Sequence, residues 1–244
     1  MAKKNKKAKT IGESAFKKCS SLTSIVIPNS ITKINSSTFE SCSNLESVTL
    51  PNALTTIESS AFYDCGKLAS ITLPNTLTKI GSTAFGKCSS LTTITIPDSV
   101  TNIGNQAFNQ CSSITSITVD SENPNYDSRN SCNAIIETST NKLLQGCNTT
   151  VIPNDITEIE NVAFMGMKDL SSINIPETVT QIGYQAFRNC TGLTSATFEN
   201  KDNWFTTYSA TGTSGTTVTL SDNPADNATL LNNTKMNYYW KKSS

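Results

Sequence analysis

Seven phenylalanines set a 23-residue ruler along this chain. Phe16, Phe39, Phe62, Phe85 and Phe108 follow one another at that spacing, and Phe164 and Phe187 resume it. Three residues after each comes Cys19, Cys42, Cys65, Cys88, Cys111 and Cys190, with Met167 breaking the series. Six residues after each comes Leu22, Leu45, Leu68, Leu91, Ile114, Leu170 or Leu193. A fixed period of this length is the signature of stacked repeats. One such unit cannot bury its own apolar edge, so neighbours must bury each other and share stability along the stack.

Within a unit, Leu91, Ile94 and Ile96 alternate with hydroxyl residues, as on a strand with one buried face. Pro97 ends the strand, because it has no N–H for the next ladder position. Val100 and Ile103 return the chain to the core. Ala107 and Phe108 then fill the convex side through a short turn of 3₁₀ or α type. The fold class expected is an α/β-type repeat solenoid with leucine-rich-repeat strands added in parallel, ~4.8 Å apart, as one continuous curved sheet. Seven Phe side chains should stand in a single file.

The register breaks once. Phe108 to Phe164 spans 56 residues, two repeats plus ten. A turn-rich loop, Asp120 to Tyr126, leads into two apolar runs that flank Thr138-Ser139-Thr140-Asn141, which reads as a β-hairpin replacing the Phe-x-x-Cys part of one repeat. Val151-Ile152-Pro153 should restore the strand. After Glu199 the period is gone, and Trp204, Phe205, Tyr208, Tyr238, Tyr239 and Trp240 read as a cap over the last repeat. The expected organisation is a disordered basic tail over 1–10, a solenoid over 11–198 with a hairpin insertion at 120–148, and a C-terminal cap over 199–244. The first strand has no cap before it. That edge is expected to be covered by residues further upstream, or to support self-association with another chain.

Composition narrows the chemistry. Nineteen basic and nineteen acidic residues cancel, so nothing points to nucleic acid as a partner. With no histidine, Ser-His-Asp and Cys-His nucleophiles and His-containing zinc sites are excluded. No apolar run approaches the length of a membrane helix, so no membrane insertion is expected. The basic N-terminus lacks the apolar segment of a signal peptide. Asp and Glu scatter over loops with no catalytic pair, and no cofactor is implied. The phased cysteines form a column, which cannot wrap a tetrahedral metal, and read as a buried ladder of small apolar groups. Cys132 and Cys147 lie off that column. In the register that places Glu137 opposite Lys142 they face each other and are a candidate disulfide in an oxidising compartment. Asn35, Asn148, Asn189, Asn227 and Asn232 begin Asn-x-Ser/Thr sequons. Between the buried strand positions, Ser47, Thr49, Ser70, Thr72, Thr93, Thr95, Ser116 and Thr118 form two hydroxyl columns, the candidate binding surface on the concave sheet.

The run Ile-Gly-x-x-Ala-Phe-x-x-Cys-x-x-Leu-x-x-Ile-x-Ile-Pro resembles the BspA-like, or Treponema pallidum type, branch of leucine-rich-repeat proteins. Asn123-Pro124-Asn125-Tyr126 with its hairpin and the terminal Asn237-Tyr238-Tyr239-Trp240 resemble it too, so the likeness covers residues 11 to 240. The resemblance implies an exported or surface-attached, non-catalytic protein of bacteria or protists. It implies adhesion to a protein or glycan ligand on a host or neighbouring cell. A spacer or surface-layer component without a specific ligand is the alternative, since fold does not fix function.

Overall fold

The computed structural model describes residues 9–243; residues 1–8, most of the expected basic tail, lie outside them. The repeats stack as a parallel-strand solenoid, as the ruler requires. The first strand of each repeat recurs at Ser24–Val26, Ser47–Thr49, Thr93–Ile96, Ser116–Val119, Ser172–Ile175 and Ser195–Phe198. Partners lie one period apart: Ser24 pairs Ser47, Ile94 pairs Ile117 and Ser172 pairs Ser195. Ile94 and Ile96 point into the core while Thr93 and Thr95 are exposed.

Two features differ from expectation. Among the described residues the first-strand sheet is three separate pairs, not one continuous sheet. The break at Ser70–Thr72 coincides with Ala69. Thr92 Oγ1 donates to the Ala69 carbonyl, Thr115 to Thr92 and Thr194 to Ser171; Ala69, like Glu46 beside the paired strand Ser47–Thr49, has no hydroxyl to make this clip. The second difference is an additional sheet. Lys33–Ile34, Thr56–Ile57, Lys79–Ile80 and Asn102–Ile103 pair in parallel, and Glu158–Ile159 and Gln181–Ile182 do the same further along. Two-residue strands are too short to leave a period-2 pattern in the sequence.

The Phe turn is the most specific element. The expected 3₁₀-type bonds are present, but only at alternate residues: Ala84, Gly86 and Cys88 donate to the carbonyls of Gly81, Thr83 and Phe85 at 3.2, 3.0 and 3.1 Å. The amides between them, on Thr83, Phe85 and Lys87, donate instead to Asn105, Ala107 and Asn109 of the next repeat at 3.0, 2.8 and 2.8 Å. To aim them so, the second residue before and after each Phe adopts positive φ, as at Thr83 (53°) and Lys87 (59°). Left-handed backbone is costly for residues with a Cβ. It recurs here in every repeat because each turn is locked to its neighbour.

Inside the turn the Phe rings stack face to face. Centroids from Phe16 to Phe108 are 5.2–5.4 Å apart with planes within 8° of parallel. Phe164 and Phe187 stack at 4.9 Å as a second file, so the expected single file is two, of five and two rings. Beside the rings runs the thiol ladder. Cys42, Cys65, Cys88, Cys111 and Cys190 each donate S–H to the Phe carbonyl of the preceding repeat at 3.0–3.2 Å. The column is therefore more than space filling: it satisfies a buried carbonyl that has already accepted one turn bond. Burial pushes the thiols of Cys65, Cys111 and Cys190 up to about 12 and that of Cys88 well above its ordinary value.

The hairpin separates the two files. Ile135–Glu137 and Lys142–Gln145 pair antiparallel with Glu137 opposite Lys142, Tyr126–Asp127 flanks one side, and Glu158–Ile159 joins the other in parallel. Gly146 stands in for the missing Phe, its N–H donating to the Ala163 carbonyl at 2.9 Å. A side chain there would collide with the Phe164 ring. Val151–Pro153 returns Ile152 to the core but forms no strand; the Val151 amide bonds to the Cys132 carbonyl instead.

At the other end, Tyr239–Lys242 runs antiparallel to Gln181–Ile182 and Trp204–Thr207. Phe198, Trp204 and Trp240 form a buried aromatic cluster. The six-residue helix Pro224–Thr229 and the π-helical turn Leu230–Thr234 bring Asn227 and Asn232 against the last repeat. Their side chains donate to the carbonyls of Ala196, Cys190 and Leu193, which no further repeat covers.

Phe62→Ala should lower unfolding stability by about 3–5 kcal/mol. Phe16→Ala should cost distinctly less, because among the described residues Phe16 is half-buried and stacks on Phe39 alone; thermal denaturation of both variants checks this. Native alkylation should label Cys19, the exposed cysteine, first. The buried ladder should react only on unfolding, since a thiol at about 12 is about 0.01% thiolate at pH 8. Fast native labelling of Cys88 would contradict the ladder.

Candidate binding surface

The candidate hydroxyl columns reach solvent. Ser47, Thr49, Ser70, Thr72, Thr93, Thr95 and Thr118 are exposed, and Ser116 is half-buried. Thr95 and Thr118 are linked through their hydroxyls at 3.0 Å, so adjacent rungs hold each other's rotamers. Ser70 and Thr72 keep their places in the columns but sit on backbone outside the strand pairs. No charge and no aromatic ring interrupts these eight positions. The surface therefore offers hydrogen bonds and methyl groups, and no anchor of the Trp, Tyr or Arg kind.

Acidic groups meet elsewhere, always around a cation. Glu58 lies between Lys33 and Lys79 at 2.6 and 3.0 Å, and these two ammonium groups hold its carboxyl below the usual range. Lys142 bridges Glu158 and Glu160 at 3.1 and 3.3 Å. Arg129 binds Asp127 and Asp155 and also donates to Asn141, clasping the inserted segment to the solenoid. Burial pushes Asp127 up, yet its bonds to Arg129 and Thr138 bring it below its ordinary value. A carboxyl held ionised in this way is a poor general acid. Among the described residues no group of three or more His, Cys, Asp or Glu side chains is placed to hold a metal.

Cys132 and Cys147 are both buried free thiols. The hairpin register shifts between Ile135 and Ile136, so Ile135 faces Gln145 rather than Leu144. The direct opposition expected from a regular ladder is lost, and Cys147 Sγ contacts the Asn133 carbonyl at 3.3 Å instead. The sequons are also mostly committed to structure. The side-chain amides of Asn35, Asn148, Asn227 and Asn232 donate to backbone carbonyls, whereas Asn189 is exposed. Of the C-terminal aromatics, Trp204, Phe205 and Trp240 are buried, while Tyr208 is 77% exposed and shares a 2.7 Å hydroxyl contact with Tyr238.

Several cavities leave no mark in the sequence, and two lie where the repeat pattern is interrupted. One, of about 50 Å³, lies between the Phe108 turn and the hairpin. Another, of about 280 Å³, lies beside Trp204 and Phe205 in the cap. The first follows from the repeat that skips its Phe turn; the second depends on cap packing that no period encodes. No helix among the described residues is long and apolar enough to cross a membrane.

Comparison with known proteins agrees with this geometry. No curated protein matches the chain. Among solved structures, the leucine rich repeat protein of T. pallidum is 27% identical with a TM-score of 0.50, over 74% of this chain and 69% of its own. A leucine rich cell surface protein of Faecalibacterium prausnitzii is 28% identical at 0.50, over 72% and 61%. A leucine-rich repeat protein of Eubacterium ventriosum is 27% identical at 0.54, over 73% and 60%. The chain thus spans about three fifths to two thirds of these relatives. The BspA type leucine rich repeat region matches residues 9–136 and 135–233 in six copies, so the chain belongs to that family.

Proposed function

We propose that this chain is a non-catalytic interaction module of a surface or secreted protein, and that its first-strand face binds a protein or glycan ligand on a host or neighbouring cell. The observation that carries this reading is the pair of mostly exposed, uncharged hydroxyl columns repeated over four successive rungs, from Ser47 and Thr49 to Ser116 and Thr118. Threonine suits a half-wet pleated surface on its own account. Eight hydrogen-bonding groups in two straight columns also make a surface that one ligand can meet many times, so weak contacts add through avidity. A surface location is supported by the F. prausnitzii relative, which is described as a cell surface protein. The lack of an aromatic or Arg anchor in the columns favours a second reading, a structural spacer that presents no hot spot.

Immobilised extracellular-matrix proteins provide the test. Joint replacement of Thr49, Thr72 and Thr95 by Lys should weaken binding tenfold or more, about 1.4 kcal/mol, with the melting temperature unchanged. Loss only on exchanging residues 120–147 would move the site to the inserted segment. A blank screen with assembly into arrays would favour the spacer.

A further inference from the structure

The row of cross-repeat amides stops in mid-chain at the seam between the Phe108 turn and the hairpin. In the preceding repeat Thr83, Phe85 and Lys87 donate forward at 2.8–3.0 Å. The equivalent amides of Gln106, Phe108 and Gln110 have no acceptor among the described residues. The carbonyls they would meet belong to the turn that the hairpin omits. In that place is the cavity of about 50 Å³, lined in part by Ile103, Gln106, Phe108, Ile135, Leu144 and Gln145. Gln145 is only 4% exposed. Its Nε2 donates to the carbonyls of Gly146 and Ala163 at 2.8 and 2.9 Å, which leaves Oε1 without a protein partner.

The cavity therefore combines two donors from one backbone row, one unpartnered side-chain acceptor and an apolar wall. One water needs about 10–15 Å³ of such volume, so the space admits roughly three to five heavy atoms. Backbone rows that alternate right- and left-handed residues commonly attract anions. Here Glu160 also lines the cavity, with its carboxylate held by Lys142 and the Asn161 amide, and Gln145 Oε1 adds a negative dipole. A carboxylate has no N–H to give Gln145 Oε1; a neutral group carrying both a carbonyl oxygen and an N–H would satisfy every partner.

We propose that the seam is a pocket for a single amide group. Its oxygen accepts from the N–H of Gln106 and Phe108, its N–H donates to Gln145 Oε1, and its carbon packs on Ile103 and Leu144. This deepens the interaction reading above and rests on it for biological sense: the amide would be an Asn or Gln side chain of a protein ligand, or the N-acetyl group of an amino sugar.

The test uses the full chain labelled with ¹⁵N and titrated with acetamide, acetate, propanamide and N-acetylglucosamine. Acetamide should shift the Gln106 and Phe108 amide resonances saturably, and acetate should not. Leu144→Phe, which fills the cavity from a half-buried position, should weaken the acetamide response at least tenfold. Ile135→Phe closes it from the paired strand of the hairpin should the first variant misfold. Tighter binding of propanamide than of N-acetylglucosamine marks a side-chain amide as the source, and the reverse order marks an amino sugar. No response to acetamide, an equal response to acetate, or a response that survives both folded variants would overturn the proposal. The readout needs no macromolecular ligand, so it can fail while strand-face binding stands, and the reverse.

Discussion

The amide that a Phe turn donates to the next repeat, at Phe16, Phe39, Phe62, Phe85 and Phe164, is the interaction on which the structure depends. It goes with left-handed residues on either side of the Phe, an alternation that points one set of amides forward while the other set closes local turns; the Phe108 and Phe187 turns keep that alternation without a forward acceptor among the described residues. It sets ring stacking, since turns tied at 2.8 Å bring Phe centroids to 5.2–5.4 Å. It also creates the need for the thiols, because the Phe carbonyl, having received one local bond, still has a buried lone pair facing the following repeat. Backbone polar groups this deep must find partners, and the small S–H of cysteine fits where a hydroxyl ladder would cost more to desolvate.

A row that points one way has two unlike ends. Wherever it stops, amides are stranded on one side and carbonyls on the other. At the C-terminal end the forward amides of Gln185, Phe187 and Asn189 likewise have no acceptor among the described residues, while the side-chain amides of Asn227 and Asn232 serve carbonyls elsewhere in the last repeat. The hairpin answers only in part. Gly146 and Gln145 serve the Ala163 carbonyl on the far side of the seam, while Gln106 and Phe108 on the near side are left open. The insertion is thus an internal point at which the stack has hydrogen-bonding capacity to spare, and the strand face displays further such capacity to solvent.

Much of this was legible from spacing alone. The Phe, Cys and Leu columns announce one shared core, and the alternation around Ile94 and Ile96 assigns the outward hydroxyls without ambiguity. The Glu137–Lys142 pairing of the hairpin could be placed from its apolar flanks. What spacing cannot carry is conformation at positions with no residue preference. The left-handed sites hold Ser, Lys, Asp, Thr and Gln in turn, and no side chain marks them. The two-residue strands at Lys33 and Lys79 and the bulge beside Ile135 are equally silent, because each is dictated by the neighbouring repeat. The pocket at the seam was hidden for the same reason: it consists of backbone amides and an omitted turn.

Hydrogen exchange at single-residue resolution tests the forward amide row most directly. The amides of Phe39, Phe62, Phe85 and Phe164 should be strongly protected in the native state, and those of Gln106 and Phe108 should exchange orders of magnitude faster although Phe108 is equally buried. Uniform protection across Phe85 and Phe108, or fast exchange at Phe62, would contradict the account.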